Sequence, residues 1–290
     1  MKLPVNHSEY RDSQNLSRSD LRTIANSPAL YHAMQRGEVE RRAPSAAMQF
    51  GTMLDELVTG GIMPQLPPHK LIPDALLSRS GTKGTDAARQ FIADNPSVRC
   101  VTRSEQDAMH KEHAELTTRL NRCLDSLASH KYAHALLTDS DRKYQFPLYW
   151  TDNATCVGVK SLPDLVIPGK CILDLKTTAD TSPRAFMNSS YKFWYDVQAF
   201  MFQEGWRVIY GTHLPVVFVL VRNEEPYNCE VYEVDNDYTM HGGLRYTSAL
   251  QTYVRCDENN EWVSDTHDQI VKVQTPSWWE RAFFNERSGL

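Results

Sequence analysis

The chain has 290 residues, of which 41% are hydrophobic, and its formal net charge at pH 7 is −5. A chain of this length can bury a substantial core, and no run approaches the roughly 20 apolar residues of a membrane-spanning helix. The acidic balance excludes a protein that coats nucleic acid along its whole surface, so any DNA contact must use a local group of basic residues. The N-terminus lacks the apolar segment of a signal peptide, which predicts a cytoplasmic location without a membrane partner.

The six cysteines are scattered through the chain, and none forms a C-x-x-C pair. This spacing excludes a zinc ribbon and a disulfide framework and predicts reduced thiols. His110 and His113, like His130 and His134, have helical spacing, but no motif glutamate or cysteine accompanies them. They indicate solvated helix faces rather than a zinc site.

The N-terminal third predicts helices with recognisable starts. Ser17 or Ser19 is the expected N-cap of the first, and Ser27, which precedes a proline, caps a second. Residues 46–58 predict a further helix, in which Gly51 allows a neighbouring element to approach closely.

The stretch that follows is less regular. Residues 59–83 are rich in proline and glycine and predict an irregular connection, and the basic loop at 78–84 lacks the spacing of a nucleotide-binding loop. Ser104 to Asp107 forms a capping-box pattern, and leucines at helical spacing after it predict a helix that faces the core.

From Tyr144 to Thr178 three β segments predict a meander, with breaks near 152–153 and 168–169. A helix beginning at Ser182, a later helical stretch ending at Gly205, strands over 215–221 and 229–234, and a helix over 237–256 follow. This order predicts an α/β fold of the α+β type, with helices packed on a mixed sheet. We expect a single domain over 1–290, with a mainly helical region (1–140), an αβ core (141–256) and a C-terminal extension (257–290).

Two aspartates and a lysine lie among β-forming residues in the segment 157–178. Side chains two apart on a strand share a face, so Asp174 and Lys176 point the same way, and Leu173 and Leu175 point the other way. A two-residue reversal at Pro168 would place Asp164 opposite Leu173 and diagonally near Asp174, with the register fixed to within one residue. Both carboxylates and the ammonium then converge.

Two close carboxylates repel each other, so either one is protonated or a divalent cation lies between them. Mg²⁺ takes one or two carboxylates, keeps several waters and leaves positions for a substrate phosphate. Lys176 can then orient or deprotonate an attacking water and offset charge in the transition state. The alternative is an ordinary ion pair on a solvated strand face.

Asp164 follows a proline, Asp174-x-Lys176 lies across a reversal from it, and the following helix carries Gln198. In this combination the chain resembles the PD-(D/E)xK nuclease superfamily, which has a restriction-endonuclease-like core. The segments Asp174–Asp180 and Tyr195–Phe202 further resemble the RecE-type exonuclease (exodeoxyribonuclease VIII) and its phage relatives, with a distant similarity to lambda exonuclease. The resemblance implies that Asp164, Asp174 and the Leu175 carbonyl bind metal, and that the catalytic residues are Asp164, Asp174, Lys176 and Gln198. Phe202 stands where that family has tyrosine.

The resemblance extends to two N-terminal segments. Residues 46–58 resemble the family's G-x-x-x-H helix, whose metal-binding histidine falls at Asp55, next to Glu56. One interpretation is that Asp55 or Glu56 replaces that histidine as a metal ligand. The alternative is that both are surface residues of an amphipathic helix. The opening segment resembles the family's serine-rich start. Hydroxyls and arginines at helix N-termini can hold a DNA phosphate. The candidate phosphate-binding residues here are Ser17, Arg18, Ser19, Arg22 and Ser27. The alternative is that this segment only forms two capped helices.

The resemblance implies a Mg²⁺-dependent exonuclease, with Mn²⁺ as a substitute, that digests linear double-stranded DNA 5′ to 3′. The single-stranded 3′ overhangs would pass to a single-strand annealing recombinase. It also implies a cyclic homo-oligomer, a trimer or tetramer, with Trp278 and Trp279 as interface anchors. The alternatives are a PD-(D/E)xK endonuclease of repair or restriction and a non-catalytic DNA-binding relative.

Overall fold

The computed structural model of the protein describes residues 7–264 and 266–273. Within these residues the helices are α1 (His7–Asp12), α2 (Arg18–Asn26), α3 (Pro28–Gln35), α4 (Ala46–Val58), α5 (Asp86–Ala93), α6 (Arg103–Ser129), α7 (Lys131–Leu137), α8 (Pro183–Phe193), α9 (Tyr195–Tyr210) and α10 (Asn236–Asn259), with a 3-10 turn at Asp74–Leu76. The strands are β1 (His69–Leu71), β2 (Arg99–Val101), β3 (Lys143–Tyr144), β4 (Leu148–Thr151), β5 (Gly158–Ser161), β6 (Leu165–Ile167), β7 (Cys171–Thr178), β8 (Val216–Arg222) and β9 (Cys229–Glu233).

The central sheet has five strands in the order β3-β6-β7-β8-β9, and only the β7–β8 pair is parallel. The predicted mixed sheet with helices packed on it is therefore confirmed. The prediction of one continuous meander is wrong, because β4 and β5 pair with each other in a separate two-stranded sheet. Pro147 and Pro163 flank this hairpin, and each removes a backbone N–H that would continue the ladder.

Both faces of the central sheet are covered. Alternate side chains of β6, β7 and β8, among them Val166 and Ile172, pack against α2, α9 and α10. The intervening ones, among them Leu165 and Leu173, pack against α4, α6 and α7. The strand face that carries Asp174 is thus buried under helices rather than solvated, and Asp174 itself is 1% exposed.

Three sequence predictions of element boundaries are wrong. The α6 capping box is formed by Thr102 and Glu105, two residues before the predicted start. Helix α9 continues through Gly205 instead of ending there. The glycine is needed inside the helix because the Trp150 ring packs against it, and a Cβ would lie 2.8 Å from that ring. The connection 59–83 contains strand β1, which pairs parallel with β2.

Other starts agree with prediction: Ser17, Ser27 and Ser182 cap α2, α3 and α8. In the described part of the chain no helix combines the length and apolarity needed to cross a membrane. The cytoplasmic location and the domain division stay predictions, and Trp278 and Trp279 lie outside the described residues.

Candidate active site

The centre of the candidate site is the Asp174 carboxylate in the middle of β7. Lys176, two residues on, makes an ion pair with Oδ2, as the shared strand face requires. Gln198 on α9 donates from Nε2 to Oδ1 at 2.7 Å. Oδ2 has no hydrogen-bond partner of regular geometry among the described residues, so its one charge contact is with the lysine.

Asp164 lies at the start of β6, where Pro163 ends the preceding loop. Leu165 pairs with Leu173, one residue away from the predicted register, because the connection contains three residues, 168–170, rather than two. This shift brings Asp164 level with Asp174, and its Oδ2 accepts from the Leu175 N–H at 2.7 Å. Burial, followed by the negative charges of Asp174 and Asp55, raises the pKa of Asp164 well above its usual value, with Lys176 acting in the opposite direction.

Asp55 reaches the same site from α4, which packs on β7. Gly51 lies beside Thr177, its Cβ position 3.1 Å from the hydroxyl, and this close approach sets the distance between helix and strand. Burial, then the charge of Asp174, raises the pKa of Asp55 from 3.8 to about 6, while Lys176 lowers it. Asp55 is half-buried and Glu56 is exposed, so Asp55 is the carboxylate of this pair that faces the site.

Gln145 is a site neighbour that the sequence did not indicate. Its Nε2 donates to Asp55 Oδ2 at 2.7 Å, and its backbone has a positive φ of 45°. It lies directly after β3, and its N–H donates to the Asp164 carbonyl at 2.9 Å. No motif marks this residue; only the pairing of β3 with β6 places it between two candidate ligands.

The donors present fit a hard divalent cation. The negative charge of Asp174 raises the pKa of both Asp55 and Asp164, and Lys176, which is paired with Asp174, lowers both pKa values. A divalent ion would relieve this repulsion, and oxygen donors are those that Mg²⁺ prefers. In the described residues no three His, Cys, Asp or Glu side chains are already grouped closely enough to hold a metal ion. Mg²⁺ normally takes only one or two protein carboxylates and completes its coordination with water and substrate phosphate.

Of the N-terminal candidates, Arg18 is joined directly to this centre. Its Nη1 donates to Gln198 Oε1 at 3.1 Å and to the Phe193 carbonyl at 3.2 Å. Ser17 and Ser19 are bonded to each other through their hydroxyls at 2.8 Å, next to Arg18. Arg18, Gln198 and Asp174 thus form a hydrogen-bonded chain that leads from the buried aspartate toward the surface.

The remaining two candidates lie farther along α2. The guanidinium of Arg22 lies 5.6 Å from the Phe193 ring centre. Ser27 accepts from the Leu30 N–H as the cap of α3. Ten residues of helical rise separate Ser17 and Ser27 by about 15 Å, so the two hydroxyls cannot hold the same phosphate.

A cleft of about 560 Å³ lies beside Arg18, lined by α1, α2 and the segment 160–162. Lys160 is buried there and donates from Nζ to the carbonyls of Tyr10 at 2.6 Å and Ser13 at 2.8 Å. Desolvation lowers the pKa of this lysine. Its contacts fix the N-terminal segment to β5, which holds Arg18 in place.

The sequence matches the family model of the PDDEXK-like domain of unknown function (DUF3799) over residues 79–268. The chain belongs to this family. The predicted membership of the PD-(D/E)xK superfamily is thereby confirmed, whereas the narrower RecE-type assignment stays a prediction. The DUF3799 match spans Asp164, Asp174, Lys176 and Gln198, but it leaves Arg18 and Asp55 outside.

Solved structures support the fold of this DUF3799 chain. A "Putative exonuclease" from Eubacterium rectale is similar, with a TM-score of 0.59, 15% identity, and coverage of 95% of this chain and 96% of that chain. The structure of SSO0001 matches with a TM-score of 0.27 and 10% identity over 80% of this chain and 98% of that chain. A score this low does not indicate a shared fold. The search of curated proteins found no match.

Proposed function

We propose that the protein is a Mg²⁺-dependent nuclease that hydrolyses phosphodiester bonds at the Asp174 centre. One observation carries the proposal: a buried aspartate, a lysine two residues on and a glutamine from the next layer are in direct contact in a PDDEXK-like fold. Asp164, Asp174 and the Leu175 carbonyl would hold the ion, with Asp55 as a further ligand. When bound, Mg²⁺ supplies Lewis-acid stabilisation of charge on the phosphate.

Lys176 acts on the reacting phosphate in this proposal. Its side chain is 18% exposed, so it is open to substrate yet largely shielded from bulk water. Its Nζ lies 4.7 Å from the Tyr195 ring centre, within the range of a cation–π contact that holds the lysine in place. A charged lysine orients water and offsets negative charge that develops in the transition state.

Gln198 and Arg18 have positioning roles. The glutamine amide donates to Asp174 with one end and accepts from Arg18 with the other, so the orientation of the amide is fixed. Burial lowers the pKa of Arg18, and the charge of Asp174 raises it. We infer that Arg18 contacts a phosphate next to the reacting one, with the Ser17 and Ser19 hydroxyls beside it.

For the substrate and direction we propose 5′ to 3′ digestion of linear double-stranded DNA, which yields 3′ overhangs for a single-strand annealing recombinase. The support is the resemblance to RecE-type exonucleases at residues 174–180 and 195–202. An endonuclease on the same fold is the alternative. A non-catalytic DNA-binding protein is a weaker one, since it has no need of the Asp174–Lys176 pair.

The experiment is a time course on linear and covalently closed circular duplexes, with Mg²⁺, Mn²⁺ or EDTA. Loss of linear DNA alone, supported by both metals and abolished by EDTA, is the expected result. Nicking of circles would show an endonuclease, and binding without loss of either substrate would show a non-catalytic protein. Labels at the 5′ or 3′ end distinguish the direction, because 5′ to 3′ digestion releases the 5′ label first.

We also propose that the 33.2 kDa chain assembles as a cyclic trimer or tetramer, which would keep an acidic protein on one DNA molecule. Head-to-tail contacts close into such rings when the rotation permits. Light scattering should give three or four times the subunit mass. A monomer at micromolar concentration that degrades long DNA without dissociating would contradict the ring.

A further inference from the structure

The junction between α8 and α9 carries four aromatic residues and one lysine, in the order Tyr191-Lys192-Phe193-Trp194-Tyr195. Trp194 adopts a left-handed backbone conformation, with φ of 64°, which a bulky aromatic residue rarely adopts. Its ring is buried, with the Arg245 guanidinium 4.3 Å from its centre. The buried Trp194 and its contact with Arg245 therefore anchor the junction to the rest of the fold.

Phe193 is an outer residue of this junction, and the residue is 36% exposed. Two cations lie near the ring: Arg22 at 5.6 Å and Lys192 at 5.2 Å from its centre. Isolated exposed aromatic residues need no explanation. An aromatic ring with two cations near it is, however, typical of sites for single-stranded nucleic acid, because bases stack on the ring while phosphates contact the charges.

Two separate contacts tie Phe193 to the candidate active site. Its carbonyl accepts from Arg18, which bonds to Gln198 and through it to Asp174. Its ring centre lies 5.9 Å from that of Tyr195, which lies 4.7 Å from Lys176 Nζ. The Phe193 ring is therefore within about 11 Å of the lysine, or about three base steps of a DNA strand at 3.4 Å each.

We propose that Phe193 is a stacking platform for an unpaired nucleobase of the DNA strand that is cleaved, with Arg22 and Lys192 on the neighbouring phosphates. This inference rests on the proposed nuclease function and adds to it a defined site for single-stranded DNA. A base stacked on Phe193 has left its duplex partner, so the platform favours substrates whose ends have opened. It binds any of the four bases, since each presents a π-face.

The test uses the full-length protein and a fluorescently labelled single-stranded oligonucleotide of thymidines that carries one 2-aminopurine. EDTA prevents metal-dependent hydrolysis, anisotropy gives the affinity, and quenching of 2-aminopurine reports stacking. Phe193→Ala and Phe193→Leu should each weaken binding about tenfold, the typical effect of removing one stacking ring, and should reduce quenching. Phe193→Trp should retain both properties.

Tyr132→Ala is the matched control. Tyr132 on α7 is 64% exposed and also has a cation near its ring, Lys131 at 5.5 Å, and α7 packs on α6 and β9 rather than on the site. This variant should bind as the wild type does. If Phe193→Leu binds and quenches like the wild type, an apolar contact suffices and the stacking platform is refuted.

Cleavage assays distinguish failure of the Phe193 stacking platform from failure of the proposed nuclease function. With Mg²⁺, Phe193→Ala should digest fully paired ends about tenfold more slowly and ends with two unpaired nucleotides with a smaller defect. If the wild type cleaves and the variant matches it in rate and affinity, only the platform fails. If the wild type cleaves nothing but Phe193→Ala weakens binding, only the nuclease proposal fails. A wild type that binds no oligonucleotide overturns the platform.

Discussion

Replacing Lys176 with alanine removes the cation in contact with Asp174, whose side chain is 2% exposed. Removing one partner of a buried ion pair costs about 3–5 kcal/mol in the free energy of unfolding. Lys176 is partly solvated, and Gln198 still donates to Asp174. We therefore expect a smaller loss, about 2–3 kcal/mol in EDTA.

Magnesium should compensate for part of that loss, because it supplies the positive charge that the lysine no longer provides. A ligand at one hundred times its Kd stabilises the folded state by about 2.7 kcal/mol. Without Lys176 the carboxylates bind the ion more tightly, so the gain in Tm on adding Mg²⁺ should be larger in Lys176→Ala than in the wild type. The cleavage rate should nevertheless fall about a hundredfold or more, since the ammonium is missing at the reacting phosphate.

Thermal unfolding with and without Mg²⁺, single-turnover cleavage and DNA anisotropy measure the three quantities. Lys111→Ala is the control, because that lysine is 78% exposed on the surface of α6, and it should change none of them. DNA affinity of Lys176→Ala should stay within about twofold of the wild type, as one of many phosphate contacts is lost. A near-normal cleavage rate, or an equal gain from Mg²⁺ in both proteins, would refute the assigned role.

Three further predictions concern residues around this centre. The pKa of Asp55 is raised to about 6, so without metal the protein should lose stability as pH rises from about 4 to 6. Asp55→Asn should reduce this slope, to which the raised pKa of Asp164 also contributes, and should raise the Mg²⁺ concentration needed for half-maximal cleavage. Unchanged curves would return Asp55 to a surface role. Arg18→Ala should weaken DNA binding, whereas Ser27→Ala should cost only about 1 kcal/mol of stability; equal losses of affinity would show that Ser27 also binds phosphate. Gly242→Ala should lower Tm markedly, because its Cβ would lie 2.1 Å from the Asp196 carbonyl oxygen, and an unchanged Tm would refute that close crossing of α9 and α10.

Local patterns predicted the parts of the fold that depend on near neighbours. Alternation along β7 placed Asp174 and Lys176 on one face, and helix starts at Ser17 and Ser27 followed from their capping chemistry. Gly51 predicted a close approach, which the contact with Thr177 shows. Each of these statements needs only a few residues of sequence.

Features set by distant packing were not predictable in the same way. Gly205 looked like a helix end, but the Trp150 ring from another sheet explains why a glycine lies inside α9. The hydrogen bond from Gln145 to Asp55 joins residues ninety apart in the chain. The burial of Asp174 likewise results from α9 lying over the strand, which the alternation of β7 alone does not show.

The most direct test compares the wild type with Asp174→Asn in single-turnover cleavage of an end-labelled linear duplex in Mg²⁺. The substitution keeps the size of the side chain and removes the charge at the centre of the site. We expect wild-type cleavage that EDTA abolishes, and a rate at least about a hundredfold lower in Asp174→Asn. Equal rates in the two proteins, or wild-type cleavage that persists in EDTA, would contradict it.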